Sequence, residues 1–338
     1  MLALSASISI LLSLILYALM GGADFGGGMW DLLATGPRAT RQRKAIAAAI
    51  APIWEANHVW LILVVVVLFT GFPAGFAAMM TALNIPVTAM LLGIVLRGSA
   101  FIFRTYDSRL PAVQGHWSRV FGTASFFTPF FQGVILGALA TGRIRVTDGL
   151  VTTGFFAGWL TPFALACGVF ATGLFAFLAA TYLTLDTEDQ ADLQNDFRRR
   201  AIWSGVALVP VAGAVFLAAR QGAPELFQGL TRGWAPLLLG ATGLCAAGAL
   251  AALQQRRFAL ARIAAAGEAV LILVGWSLAQ YPNLITPDVT VANAHAPEAT
   301  LRLLLLALAA GALLLLPSLV FLFHLFKGHR QARPVDHR

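Results

Sequence analysis

Apolar stretches close to twenty residues long recur from one end of the chain to the other, separated by short polar connectors. At 1.5 Å of rise per residue, about 20 such residues carry a helix across the hydrocarbon of a bilayer. Windows of that length predict helices near residues 2–24, 47–70, 74–100, 118–141, 152–184, 201–219, 234–253, 262–281 and 301–326. The run at 152–184 is longer than one crossing needs, so its limits are the least defined. The pattern predicts an all-α, polytopic membrane protein of about nine transmembrane helices, forming one integral membrane domain over residues 1–338. Short connectors place consecutive helices side by side, and the expected arrangement is two four-helix bundles plus one peripheral helix. The first and fifth helices both end in an acidic stretch, Asp24 to Asp31 and Asp186 to Asp196, followed by a basic cluster and another apolar run. That echo suggests internal halves at residues 1–145 and 150–285. Charge placement alone produces the same likeness, so a repeat and its absence stay equally open.

Composition agrees. Hydrophobic residues make up 59% of the chain and charged residues 11%, against about 25% charged in a soluble domain, which excludes a soluble monomer. The net charge of +8 would suggest nucleic acid in a soluble protein. Here eighteen of the 23 Lys and Arg fall in alternate connectors, around residues 38–44, 97–119, 198–200 and 256–262, and in the tail. Basic residues are retained on the cytoplasmic side, so the charge reports topology and no nucleic-acid partner is expected. The N-terminus is expected outside and the C-terminus in the cytoplasm of a bacterial inner (plasma) membrane, which requires an odd number of spans. The first run, Leu2 to Met20, has no basic leader and reads as a retained span. Cys167 and Cys245 lie inside apolar runs without redox or metal spacing, and phosphate-loop, dinucleotide, zinc and serine-elbow motifs are absent.

Ionisable groups inside a membrane span are costly unless paired or wetted, so each calls for an explanation. Asp24 sits in Gly21-Gly22-Ala23-Asp24-Phe25-Gly26-Gly27-Gly28, where the glycines permit either close helix contact or a local break. Glu55 lies in Pro52-Ile53-Trp54-Glu55-Ala56-Asn57-His58-Val59-Trp60, just before an unbroken apolar run, and burial is expected. Glu55 and His58 are spaced i, i+3, on one helix face, where a carboxylate and an imidazole can exchange a proton; a purely structural buried pair is the alternative. Glu268 stands one to two turns from Arg262 and is expected to form an ordinary ion pair with it. Arg97 and Arg104 are expected to snorkel to the membrane surface, although either could pair with a buried acid or a cofactor propionate. Asn84 and Gln132 could bridge helices. A six-coordinate haem needs two axial ligands on facing helices. His116, His295, His329 and His337 fall in expected loops or the tail, leaving only His58 and His324, so a matched pair is not expected.

These residues resemble subunit II of the cytochrome bd-type quinol oxidases. The likeness is carried by Gly22-Ala23-Asp24-Phe25-Gly26, the Pro52-to-Leu61 block, Phe72-Pro73, Leu96-Arg97-Gly98, Gln280-Tyr281-Pro282 and Leu316-Pro317-Ser318, in order and nearly end to end. The block from Trp54 to Trp60 is its most specific part. The resemblance implies a haem-bearing partner, subunit I, which holds two b haems, haem d and the quinol site, while this chain binds no cofactor and has no independent turnover. The complex oxidises quinol and reduces oxygen to water with protons drawn from the cytoplasm. The position of Glu55 is implied to lie on the proton route toward haem d, with Asp24 nearer its cytoplasmic intake. Trp54, Asn57, Trp60, Arg97, Arg104 and Glu268 are candidate structural or interface groups, and small accessory subunits, quinone and lipids are candidate partners. Two positions depart from the family pattern: Gly21 and His58 stand where many members have an acid, and His58 could substitute as a proton carrier. Two other readings of the same residues are a proton-coupled transporter acting alone and a purely structural membrane subunit.

Overall fold

A computed structural model describes residues 1–51, 54–106 and 111–328. Pro52, Ile53, Arg109, the tail arginines, His329 and His337 lie outside the described residues, as does the side chain of His324. The described chain is all-α apart from two short hairpins. In order it forms α1 (Leu2–Leu32), α2 (Ala39–Ile50), α3 (Trp54–Gly71), α4 (Pro73–Ala82), α5 (Asn84–Tyr106), α6 (Pro111–Ala140), β1 (Val146–Thr147) and β2 (Leu150–Val151). There follow α7 (Pro162–Asp186), α8 (Ala191–Gly222), α9 (Pro224–Thr231), α10 (Ala235–Gln254), α11 (Phe258–Gln280), β3 (Asn283–Ile285), β4 (Val289–Thr290) and α12 (Glu298–Gly328). Among the described residues nine helices are long and apolar enough to cross a membrane: α1, α3, α5, α6, α7, α8, α10, α11 and α12.

Three boundaries differ from the sequence expectation. The run at 74–100 is two helices, with Leu83 at the break between α4 and α5. The run at 152–184 enters its helix only at Pro162, capped by the Thr161 hydroxyl, which accepts from the Ala164 amide. The apolar residues before it, Phe155, Phe156 and Leu160, sit exposed on a connector beyond the β1–β2 hairpin. The first helix continues to Leu32, so Asp24 lies within it rather than at its end.

Helix α1 is the axis of the packing and touches α3, α6, α7, α11 and α12. Its glycines explain how: a Cβ on Gly22 would meet the Phe175 ring at 2.8 Å, and one on Gly26 would overlap the Phe175 carbonyl of α7. A Cβ on Gly28 would overlap the Ser125 hydroxyl of α6, so the glycines serve close approach and the helix does not break there. The largest core cluster forms around this seam, with Tyr17, Phe25 and Met29 against Leu174, Phe177 and Leu178.

One end of the bundle gathers the basic connectors. There the acidic start of α8 pairs with the basic start of α2. Arg38 donates to both oxygens of Asp196 at 2.7 Å, and Arg41 meets Asp192 at 2.5 Å. Gln42 joins them by donating to Asp196 and accepting from Arg200. At the opposite end, Asp288 between β3 and β4 accepts from the Arg145 side chain at 2.8 Å and from the Val146 amide at 2.9 Å, tying the two hairpins together.

Candidate functional site

The polar groups of the bundle fall on one stripe of α1. Tyr17, Asp24 and Asp31 are spaced seven residues apart, a near-whole number of turns, and all three are buried. Each has a partner across a helix interface. Asp31, nearest the basic end, takes a hydrogen bond from Arg104 at 2.9 Å. About 10 Å further along the axis, Asp24 is held by Arg97, with the two side chains 2% and 0% exposed. One further step of similar size brings Tyr17, whose hydroxyl accepts from the Gln132 amide at 2.7 Å.

Helix α5 supplies both arginines because Arg97 and Arg104 are themselves seven apart, so the two helices run in matching register. The expectation that these arginines snorkel outward is corrected here: their heads turn into the bundle, and that of Arg97 lies over the Phe25 and Phe121 rings at 5.2 and 5.1 Å. A guanidinium against aromatic faces gains cation–π attraction where water is excluded. The pairing also answers how two aspartates survive in a membrane span, because a buried charge persists only with a compensating one.

Helix α3 adds the remaining candidates from its first two turns. Asn57 is fully buried and donates to the Met20 carbonyl at 3.3 Å, fastening α3 to α1 just above Asp24. His58 lies between α1 rings, 6.3 Å from Tyr17 and 6.1 Å from Phe25 by centroids. Trp54 packs on Phe101 at 5.7 Å and rests over Gly98, where a Cβ would come within 3.3 Å of it. That contact accounts for glycine following Arg97. Trp60 is buried in the core around Tyr17.

Glu55 is where the sequence reading fails. It is exposed at the surface of α3, while His58 turns inward, and no hydrogen bond among the described residues joins them. Residues three apart differ by about 60° around a helix, enough for one to face the core and the other to leave it. Glu268 on α11 is buried as expected, but Arg262 does not pair with it. Arg262 lies over the Tyr182 ring at 4.6 Å and 3.8 Å from Asp186. Of the two amides proposed as bridges, Gln132 links α6 to α1, whereas Asn84 bonds only the nearby Thr81 carbonyl.

Several buried polar atoms of this region have no partner within the protein: Asp24 Oδ2, Arg97 Nε and Nη1, His58 Nδ1, Asn57 Oδ1 and Gln132 Oε1. Their concentration along the α1 stripe makes it a chain of donors and acceptors, which is chemistry suited to holding water and passing protons. Asp31, Tyr17 and Gln132 were not singled out as a set from the sequence, although the seven-residue spacing was there to read. The histidines do not form an axial haem pair: His58 faces aromatic rings, His116 is exposed on α6 beside Trp117, and His295 bonds the Ala296 carbonyl. Among the described residues no group of three His, Cys, Asp or Glu is placed to hold a metal ion.

The family described as "Cytochrome bd terminal oxidase subunit II" matches residues 2–326 of this chain. The chain belongs to that family. A Bacillus subtilis (strain 168) protein provisionally named cytochrome bd menaquinol oxidase subunit II is 24% identical over 92% of this chain and 91% of its own. Cytochrome bd-I ubiquinol oxidase subunit 2 of Escherichia coli (strain K12) is 31% identical over 58% of this chain, a match spanning about half (51%) of that protein. Among solved structures, a chain from the bd oxidase of Geobacillus thermodenitrificans superposes with a TM-score of 0.75, covering 96% of this chain and 98% of that one. At 22% identity that likeness shows the shared fold. Within a subunit II fold, the α1 stripe is the candidate site.

Proposed function

We propose that this chain is the haem-free subunit II of a cytochrome bd-type quinol oxidase, supporting assembly of the complex and carrying cytoplasmic protons toward the haem d site of subunit I. The observation that carries the reading is Asp24. One carboxylate oxygen is clamped by Arg97 and the other has no protein partner, at the middle rung of a polar ladder that begins at the basic end. Family membership supplies the pairing with subunit I. The two b haems, haem d and the quinol site belong to that partner, and this chain contributes proton-handling groups.

Glu55 fits the same reading through its exposure. A carboxylate on the outer face of a membrane helix is costly against lipid, so a protein surface or an aqueous path must meet it. It stands at the edge of an apolar face shared by α3 and α5, with Ile62, Phe69, Leu92 and Val95 exposed, a surface suited to subunit I. In this arrangement Asp24 receives a proton at Oδ2, Arg97 holds the carboxylate in place, His58 beside α1 relays it, and Glu55 delivers it across the interface. The basic end then faces the cytoplasm of a bacterial inner membrane, as retention of Lys and Arg on that side requires.

The test uses the assembled complex carrying Glu55→Gln or Asp24→Asn, reconstituted in liposomes, with haem content read from visible spectra. The expected result is full haem content with slowed oxygen consumption and slowed proton uptake. Wild-type uptake in both variants would leave these groups a structural role only.

A further inference from the structure

Beside the Asp24–Arg97 pair, on the side of α1 away from α3, lies a cavity of about 390 Å³ between α1, α2, α7 and α11. Asp24 forms part of its wall, and Tyr182, Asp186 and Arg262 lie at the part nearest the basic end, where α7 ends and α11 begins. Between them the walls are small residues such as Ala23, Gly27, Ala179 and Ala266, so the space is open rather than plugged.

We propose that this cleft is the water-filled intake through which Asp24 exchanges protons with the basic side, with Tyr182, Asp186 and Arg262 forming its mouth. The inference rests on the proton-route reading above and adds the path by which the route is fed. Three observations converge on it. Asp24 lines the cleft and has a buried oxygen with no protein partner, and a carboxylate oxygen left in that condition demands solvation. At about 30 Å³ per water, the volume holds roughly ten molecules. A water chain needs polar partners at both ends, and the cleft has them: Asp24 inside, the Asp186–Arg262 pair and the Tyr182 hydroxyl outside. The arrangement separates two tasks, since protons enter on the α7–α11 side of α1 and Glu55 stands on the α3 side.

Two measurements on the assembled complex test this. The first introduces Ala266→Cys, with Cys167 and Cys245 replaced, and adds a charged, membrane-impermeant thiol reagent to either side of sealed vesicles. Modification by the charged reagent from one side supports a wet cleft. Modification only by an apolar maleimide would mean that lipid fills it and would overturn the proposal. The second compares Ala266→Phe, which fills the cleft, with Ala266→Ser, which does not, beside Asp24→Asn as reference. Slowed proton uptake in Ala266→Phe with unchanged haem spectra, and normal uptake in Ala266→Ser, is the expected result. If Asp24→Asn slows uptake and Ala266→Phe does not, the intake proposal fails and the proton route stands. If Asp24→Asn leaves uptake unchanged, the route fails, and the intake fails with it.

Discussion

Arg97 of α5 donates to Asp24 of α1 at a point where neither side chain meets solvent. Removing one member strands a charge, whereas removing both leaves only neutral groups. Arg97→Met alone is therefore expected to destabilise by about 3–5 kcal/mol, and the pair Asp24→Asn with Arg97→Met to recover most of that loss. Thermal unfolding of the complex in detergent, read as a double-mutant cycle, measures the difference. Recovery of stability in the double variant without recovery of proton uptake would separate the structural contribution of the pair from its role in the route.

The glycines of α1 give a second prediction. A Cβ at Gly26 would overlap backbone of α7, which cannot move aside as a flexible side chain can. Gly26→Ala should cost about 1–3 kcal/mol through overpacking of that seam. Gly213, inside α8, would meet nothing within 4 Å. Gly213→Ala should be neutral or stabilising by up to about 1 kcal/mol, since alanine restores helix propensity. Opposite shifts in melting temperature are expected, and equal shifts would contradict the close-approach account.

Much of the fold was legible in the apolar pattern, because a bilayer imposes a span length and forbids unsatisfied backbone. The pattern could not see the break at Leu83, since one residue barely alters a twenty-residue average, and it absorbed Phe155 and Phe156 into a helix because hydropathy does not distinguish an exposed apolar connector from a span. The site was half legible. Asp24, Asn57, His58, Arg97 and Arg104 all stand on or beside the α1 stripe, but the pairing of the two arginines with Asp24 and Asp31 depends on the register of α5 against α1. Glu55 was misplaced for a related reason: spacing fixes which residues share a helix face, not whether that face meets the core, lipid or a partner. The likeness between the acidic stretches after the first and fifth helices has a different use from the repeat it suggested, because Asp192 and Asp196 bind the basic cluster of α2.

That network at the basic end yields a third prediction. Arg38 is 47% exposed and Asp196 only 12%, and Asp196 also accepts from Gln42. Loss of Arg38 to alanine should therefore cost no more than about 1 kcal/mol, discounted for its exposure. Asp196→Ala should cost more, because it strands Gln42 and removes the counter-charge beside the more buried Arg200. Arg38→Lys should resemble the alanine variant, since lysine cannot reproduce the two-point contact. Melting temperatures at low and high salt check the order, with the Arg38 difference shrinking at high salt.

The last prediction concerns pH at the opposite end of the bundle. Partial burial alone would raise the Asp288 carboxyl, but the Val146 amide and the Arg145 guanidinium bind its charged form and hold it below the usual aspartate range. A lowered value in the folded state means the charged form is favoured by folding. The contribution to stability is complete above the ordinary aspartate value of about 3.9 and disappears as pH falls through the lower folded value. The tie between the β1–β2 and β3–β4 hairpins should thus be intact at neutral pH and loosen in acid. Hydrogen exchange at Val146 and at residues 283–290, corrected for the intrinsic effect of pH, should show protection falling below about pH 4. Asp288→Asn should begin with weaker protection and show no such step, and a step of equal size in that variant would assign the acid response to a different group.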